Sequence, residues 1–254
     1  MFKYFRIAVL LLVLAGVALG AWRSKTRAVE WKYTLPVNVY TINADGSTAT
    51  AEYLSHLKPA DFKPIEAFMQ EEAKRYGREG HASIAIRMGD ALATLPPEPP
   101  RSGNPLQVVF WSLHMRWWSY RNAETHGPGP QVKLFLLYFD PAHRSRLEHS
   151  TGLQKGLLGR VNVFAASEMA SQNLVVITHE LLHTLGATDK YDMSNNQPQF
   201  PDGYAVPDQL PLLPQRYAEI MAGRIPLTAD KAEIPATLEQ ALVGEKTARE
   251  INWR

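Results

Sequence analysis

The 254-residue chain contains no cysteine. Disulfides are therefore excluded as a source of stability, and so are thiolate metal ligands, so any metal site must be built from imidazole and carboxylate groups. A latency device that caps a metal with a thiolate is excluded as well. Net charge is almost as scarce: 27 basic against 25 acidic side chains leave +2. With Lys3 and Arg6 near the N-terminus set aside, the two signs are equal at 25 each. A field that would gather nucleic acid is absent, and no nucleic-acid partner is expected. Internal repeats are also missing. What remains, 45% hydrophobic and 20% charged residues, is the composition of a globular protein large enough for one large domain or two small ones.

A single stretch is apolar enough to address a membrane. Met1-Phe2-Lys3-Tyr4-Phe5-Arg6 is followed by an uncharged run from Ile7 to Trp22. A basic start, an apolar centre and small residues at Ala18 and Gly20 suit an export signal cleaved before Ala21. An uncleaved anchor fits too: the run is slightly short for a full span, but Tyr4, Phe5 and Trp22 suit the interfaces, and Arg23, Lys25 and Arg27 resemble an anchor's flank. Residues 1–27 are expected to be a signal peptide or N-terminal membrane anchor plus linker. The body is then extracytoplasmic, either held at the inner membrane facing the periplasm or released after cleavage.

Along the body, Leu35 to Ile42 alternates as a strand does and ends at the turn Asn43-Ala44-Asp45-Gly46. Residues 59–77 carry Phe62, Ile65, Phe68, Met69, Ala73 and Tyr76 near a 3.6 period, which predicts an amphipathic helix closed by Gly77. Further strands are predicted at Ala82–Arg87, Leu106–Leu113, Val132–Phe139 and Gly159–Ala165, with a Pro-rich loop from Leu95 to Pro105. Residues 195–214 are expected to be irregular, and a last helical stretch is expected from Ala236, broken near Gly244. The order of elements predicts an α/β (α+β) fold with a mixed sheet covered by helices.

The chemistry is concentrated in His179-Glu180-Leu181-Leu182-His183-Thr184-Leu185-Gly186-Ala187-Thr188-Asp189. On a helix over 174–185, capped by Ser171 or Asn173, His179 and His183 stand one turn apart on one face and can reach a common metal ion. Glu180 lies beside that face, placed to take a proton from a water rather than to complete the ligand set. Gly186 can adopt positive φ and turn the chain so that Asp189 supplies a third ligand.

These residues resemble the motif of the metzincin clan of zinc peptidases, His-Glu-x-x-His-x-x-Gly-x-x-His or Asp, in its Asp form. That form resembles snapalysin-type small secreted bacterial proteases, and Asp189-Lys190-Tyr191-Asp192 is similar to the immune inhibitor A group. Metzincins also place a methionine on a tight turn beneath the metal, and Glu219-Ile220-Met221-Ala222-Gly223 fits that turn through Met221. The resemblance implies a mostly parallel sheet of about five strands with an active-site helix and a C-terminal irregular or helical subdomain. It implies one metallopeptidase domain over 28–254, divided at 186 into a sheet-and-helix part and a part holding the Met-turn. It implies Zn2+ on His179, His183 and Asp189, Glu180 as general base, and a protein or peptide substrate. The chain departs from some metzincins two residues after the methionine, where Gly223 replaces a tyrosine; Tyr191 and Tyr217 are the candidate substitutes for stabilising the transition state.

Other features rank lower. The cluster Trp111, His114, Trp117, Trp118 and Tyr120 reads as core and rim packing before it reads as a substrate wall or membrane patch. His149 with Ser150 lacks an acid partner at motif spacing, and His56, His81, His126 and His143 read as solvated. Glu219 is an alternative third ligand that the Gly186–Asp189 spacing disfavours. Two other functions share the motif: a non-catalytic envelope protein stabilised by zinc, and a zinc amidase acting on the cell wall.

Overall fold

Two hydrophobic layers sandwich a five-stranded sheet in the computed structural model, which describes residues 26–80, 83–100, 104–124, 131–144, 146–148, 150–153 and 157–254, together with Tyr4, Arg6 and Leu12. The rest of the leader, His81, His126 and His149 lie outside the described residues. Among the described residues no helix is long and apolar enough to cross a membrane.

The strands β1 (Leu35–Asn43), β2 (Ile84–Met88), β3 (Val132–Phe139), β4 (Thr151–Leu153) and β5 (Leu158–Phe164) lie in the order β2-β1-β3-β5-β4. All pairs are parallel except β4 against β5. This is the mixed, mostly parallel sheet expected. The central strand β3 is buried at all eight positions, as a strand covered on both faces must be. Val37, Val39, Leu134, Leu136, Val161 and Val163 face one layer; Tyr40, Ile42, Phe135, Leu137 and Leu158 face the other.

Helix α1 (Thr48–His56) follows β1, and α2 (Lys63–Arg75) follows a 3-10 turn at Pro59–Phe62. The periodicity over 59–77 thus holds, with Tyr76 and then Gly77 (φ 70°) closing it. The composition of 48–56 gave no sign of α1. Its apolar spacing is weak, and what starts it is Ser47, whose side chain accepts from the Thr50 amide at 3.1 Å.

The strand predicted at Leu106–Leu113 is instead the first half of an 18-residue helix, α3 (Pro105–Asn122). Asn104 caps it by accepting from the Leu106 amide at 3.0 Å, and Pro105 occupies the first helical position, where its missing N–H costs nothing. Met115 and Trp118 pack into the same buried cluster as sheet residues, Trp118 meeting Phe135 edge-on at 4.9 Å, while Trp111 is buried with its indole N–H donating to the Pro97 carbonyl at 3.0 Å. The aromatic cluster is therefore divided: Trp111 and Trp118 are core, whereas His114, Trp117 and Tyr120 are exposed. The fifth strand of the sheet is β4, which the sequence pattern did not indicate.

Helix α4 (Ala170–Leu185) follows β5 and carries the His-Glu-x-x-His segment. It starts earlier than predicted, from a 3-10 turn at Ser167–Met169, and neither Ser171 nor Asn173 caps it. Asn173 instead clamps the end of β5: its Nδ2 donates to the Phe164 carbonyl at 2.8 Å, and its Oδ1 accepts the Phe164 amide at 3.1 Å.

Beyond α4 the chain forms short pairings: β6 (Tyr191–Asp192) with β7 (Gln197–Pro198), β8 (Ala218–Glu219) with β11 (Ala241–Leu242), and β9 (Ile225–Pro226) with β10 (Ala232–Glu233). The helix expected from Ala236 is not continuous. Leu238–Gln240 is a 3-10 turn, Ala241–Leu242 is taken up by pairing with β8, and only α5 (Glu245–Glu250) is α-helical. Ala187, Ile220, Met221, Val243, Ala248 and Trp253 join the same buried cluster as the sheet and α4, and Trp31 donates its indole N–H to the Ile251 carbonyl at 2.7 Å.

Candidate metal centre

Gly186 at φ 115° ends α4 as a Schellman reversal, with the Gly186 amide donating to the His183 carbonyl at 3.1 Å and the Ala187 amide to the Leu182 carbonyl at 3.0 Å. An L side chain is strained at that φ, so glycine is what allows the turn. Two consequences follow within three residues. The Ala187 carbonyl returns to accept from His183 Nδ1 at 2.8 Å, and Asp189 swings back over the helix end.

The other histidine is fixed from 41 residues away. His179 Nδ1 donates to the Ile220 carbonyl at 2.9 Å. A carbonyl can only accept, so both imidazoles carry their proton on Nδ1 and turn an Nε2 lone pair toward the same point. The two Nε2 atoms are 3.0 Å apart, and Asp189 Oδ1 lies 3.2 Å from His179 Nε2 and 3.1 Å from His183 Nε2. Three acceptors at that spacing repel one another unless a positive charge sits among them. Burial disfavours charge on His179, but its bond to Asp189 and the carboxylates of Glu180 and Asp189 raise its pKa to about 9. Asp189 is correspondingly lowered, the bonds from His179 and His183 outweighing burial. The triangle also matches the separations of N and O ligands held about 2.0–2.2 Å from one ion. The donor set thus fits a divalent metal as well as a proton.

Glu180 stands beside this triangle, with one of its oxygens and one nitrogen of each histidine within 4.8 Å of one another. It is buried, its Oε2 has no hydrogen-bond partner, and burial raises its pKa. Two carboxylates therefore face the histidine pair. Asp189 is the one in contact with both ring nitrogens, whereas Glu180 keeps a free oxygen.

The turn that carries Met221 packs next to His179 through the Ile220 carbonyl. Met221 is fully buried; the Ala222 and Gly223 amides donate to the Glu219 carbonyl, and Gly223 has φ 68°. The alternative of Glu219 as a ligand is excluded by its neighbours. Its buried carboxylate accepts from the amides of Met221 (2.7 Å), Ala222 (2.9 Å) and Gly244 (3.1 Å) and from the Thr247 hydroxyl (2.6 Å). Sequence reading gave no hint of this role, since Gly244 and Thr247 lie 25 and 28 residues away.

A second latch holds the Asp189 loop. Buried Lys190 donates to Glu250 at 2.7 Å, and Glu250 also accepts from the Thr188 amide at 2.9 Å and hydroxyl at 2.7 Å, so α5 grips the residues on both sides of Asp189. Burial works against charge on Glu250, but these donors outweigh it and lower its pKa. A depressed carboxylate stabilises the fold fully above its unfolded value of about 4.3, and the contribution is lost as pH falls through the folded value. In metal-free protein, the melting-temperature difference between parent and Glu250→Gln should be largest near pH 6 and close progressively below about pH 4. A difference that does not change with pH would show that Glu250 acts without its charge.

A cleft of about 460 Å3 opens over His179 and Glu180 and is lined by Tyr191, Asn162, Gly223 and Arg224 among others. Tyr191 is half-buried there; burial first, then the Asp189 and Glu180 carboxylates, push its phenol up to about 12, so it remains a donor at neutral pH. Tyr217 is not among the lining residues, and Arg216 stacks over its ring at 5.7 Å. On the sheet side, β4 is the terminal strand, and Gly152 runs so close to α4 that an added Cβ would collide with His183 Cβ and approach the Glu180 carbonyl to 2.9 Å. His56 and His143 are exposed, as expected. Ser150 accepts from the Asn162 amide at 2.9 Å.

Compared with models of known protein families and with curated proteins, the chain matches none. The chain has in its own right an α/β fold with a His-Glu-His cluster able to hold a metal ion, compatible with a metzincin-like site.

Proposed function

We propose that this protein is a zinc-dependent peptidase in which His179, His183 and Asp189 hold the metal and Glu180 is the general base. The observation that carries this reading is the convergence of two tautomer-fixed Nε2 lone pairs and Asp189 Oδ1 beside a buried Glu180 oxygen that has no partner. When bound, zinc supplies Lewis-acid chemistry, lowering the pKa of a coordinated water and polarising a scissile carbonyl. Glu180, with its pKa raised by burial, accepts the water's proton at Oε2 and delivers it to the leaving amine. Tyr191 donates a hydrogen bond to the developing oxyanion from the cleft wall. The outer edge of β4, the terminal strand among the described residues and next to Glu180 and His183, suits an extended peptide that adds to the sheet through its backbone. Residues 28–254 form one peptidase domain in this reading, and the N-terminal leader exports it, anchored or cleaved.

Purified protein should contain about one zinc per chain by elemental analysis and should cleave unfolded casein, with activity abolished by a chelator and restored by zinc. Casein cleavage that survives complete metal removal would overturn the reading. Metal removal that unfolds a protein showing no amide hydrolysis would favour a structural metal site instead.

A further inference from the structure

Resting on the peptidase reading, the cleft also carries information about its substrate. Besides His179, two arginines and two carboxylates line it: Arg146, Arg224, Glu148 and Glu180. Glu180 is committed to the reaction. Glu148 interacts with the buried Arg160 guanidinium, whose charge it favours. Both remaining groups are arginines, and among the described residues neither has an ion pair or hydrogen bond.

Arg224 is the more constrained of the two. It is half-buried, follows Gly223 of the Met-turn directly, and precedes β9, whose Ile225 and Pro226 pair with Glu233 and Ala232. Its backbone is therefore held on both sides. It lines the same cleft as Tyr191, His179 and Glu180. A guanidinium offers five N–H donors in a planar fork matched to a carboxylate. Partly desolvating one without an acceptor is unfavourable, and the residue fits this position when the ligand brings the anion. Arg146, exposed at the rim, adds attraction of the same sign, though one that salt screens.

We infer that Arg224 determines specificity by binding a substrate carboxylate next to the scissile bond, so that the enzyme selects acidic peptides. The carboxylate comes either from an Asp or Glu side chain or from a free peptide C-terminus, two sources with the same chemistry.

The test uses matched fluorescent peptides that carry Glu, Gln or Lys at each position around the cleaved bond, each with a free or an amidated C-terminus. Zinc-loaded parent should prefer Glu over Gln by about tenfold or more in kcat/KM, the size of one charge-assisted hydrogen bond, chiefly through KM. Arg224→Glu should invert the order to favour Lys. Each ratio is taken within one protein, so a general loss of activity cancels. If the preference instead follows the free C-terminus, that is the carboxylate recognised. Anisotropy binding of the same peptides to zinc-loaded Glu180→Gln gives a readout independent of turnover. Equal affinity for Glu and Gln peptides and for free and amidated ends, or preferences unchanged in Arg224→Glu, would overturn the inference while cleavage by the parent left the peptidase reading intact. A preference for acidic peptides in binding, reversed by Arg224→Glu, would uphold it even if no peptide were cleaved.

Discussion

Glu180→Gln should bind zinc as tightly as the parent yet hydrolyse peptides about 10²–10⁴ times more slowly, the usual contribution of a positioned general base. The expectation comes from what Glu180 does not do. Its Oε2 accepts no hydrogen bond, and Asp189 rather than Glu180 contacts both histidine Nε2 atoms. Replacing it therefore removes neither a ligand contact nor a brace. Burial of a carboxylate with a free oxygen works against stability, so the neutral amide of the same volume should melt no lower than the parent, as is common where a residue is retained for chemistry. Glu180→Ala should lose turnover to the same extent. Zinc content, melting temperature and peptide turnover measured on the same preparations decide the matter. Unchanged hydrolysis would remove Glu180 from the mechanism, and loss of zinc with loss of activity would make it a ligand.

How far the site could be read from the chain follows from sequence distance. His179, Glu180, His183, Gly186 and Asp189 lie within eleven residues, where helical period and the glycine reversal alone bring them together. Met221 was legible only through its resemblance to a known turn. What orients the histidines and Asp189 was not legible, because the Ile220 carbonyl, Glu219 with Gly244 and Thr247, and Lys190 with Glu250 meet across 25 to 60 residues. The Ala187 carbonyl is the exception: its bond to His183 could have been anticipated from the Schellman turn. In the fold, buried β1, β3 and β5 announce themselves by composition, whereas α3 was misread because Leu106, Val108, Val109 and Phe110 have strand-like side chains. Asn104 and Pro105 are the stronger signal, since capping chemistry fixes where a helix begins whatever side chains follow. Arg224, one of two cleft arginines without an ion pair among the described residues, gave no sequence signal, since an arginine is unpaired only with respect to neighbours that the fold supplies.

Glu219→Ala should be the most destabilising single change near the site, by about 3–5 kcal/mol, and should weaken zinc about 10–100-fold without touching a ligand. One carboxylate oxygen, Oε2, accepts the Met221 and Ala222 amides, and the other, Oε1, accepts the Gly244 amide and the Thr247 hydroxyl. Alanine leaves the Met221 and Gly244 amides and the Thr247 hydroxyl without this acceptor in a site closed to bulk water, the Ala222 amide alone keeping the Glu219 main-chain carbonyl, and it leaves a cavity as well. The effect reaches the metal through one residue, because Ile220, between Glu219 and Met221, supplies the carbonyl that fixes the tautomer and aim of His179. Glu219→Gln separates the two roles. An amide has one oxygen, so one pair of donors must face its NH2 group. Turning that group toward Thr247 is the cheaper choice, since a hydroxyl can rotate to accept, and the Met-turn then keeps its acceptor. Glu219→Gln should therefore lose less stability than Glu219→Ala and hold zinc nearly as well as the parent. Denaturant melts and competitive zinc titrations on the three proteins test this ordering, and a Glu219→Ala protein that is destabilised but binds zinc with parental affinity would show that the Met-turn does not orient His179.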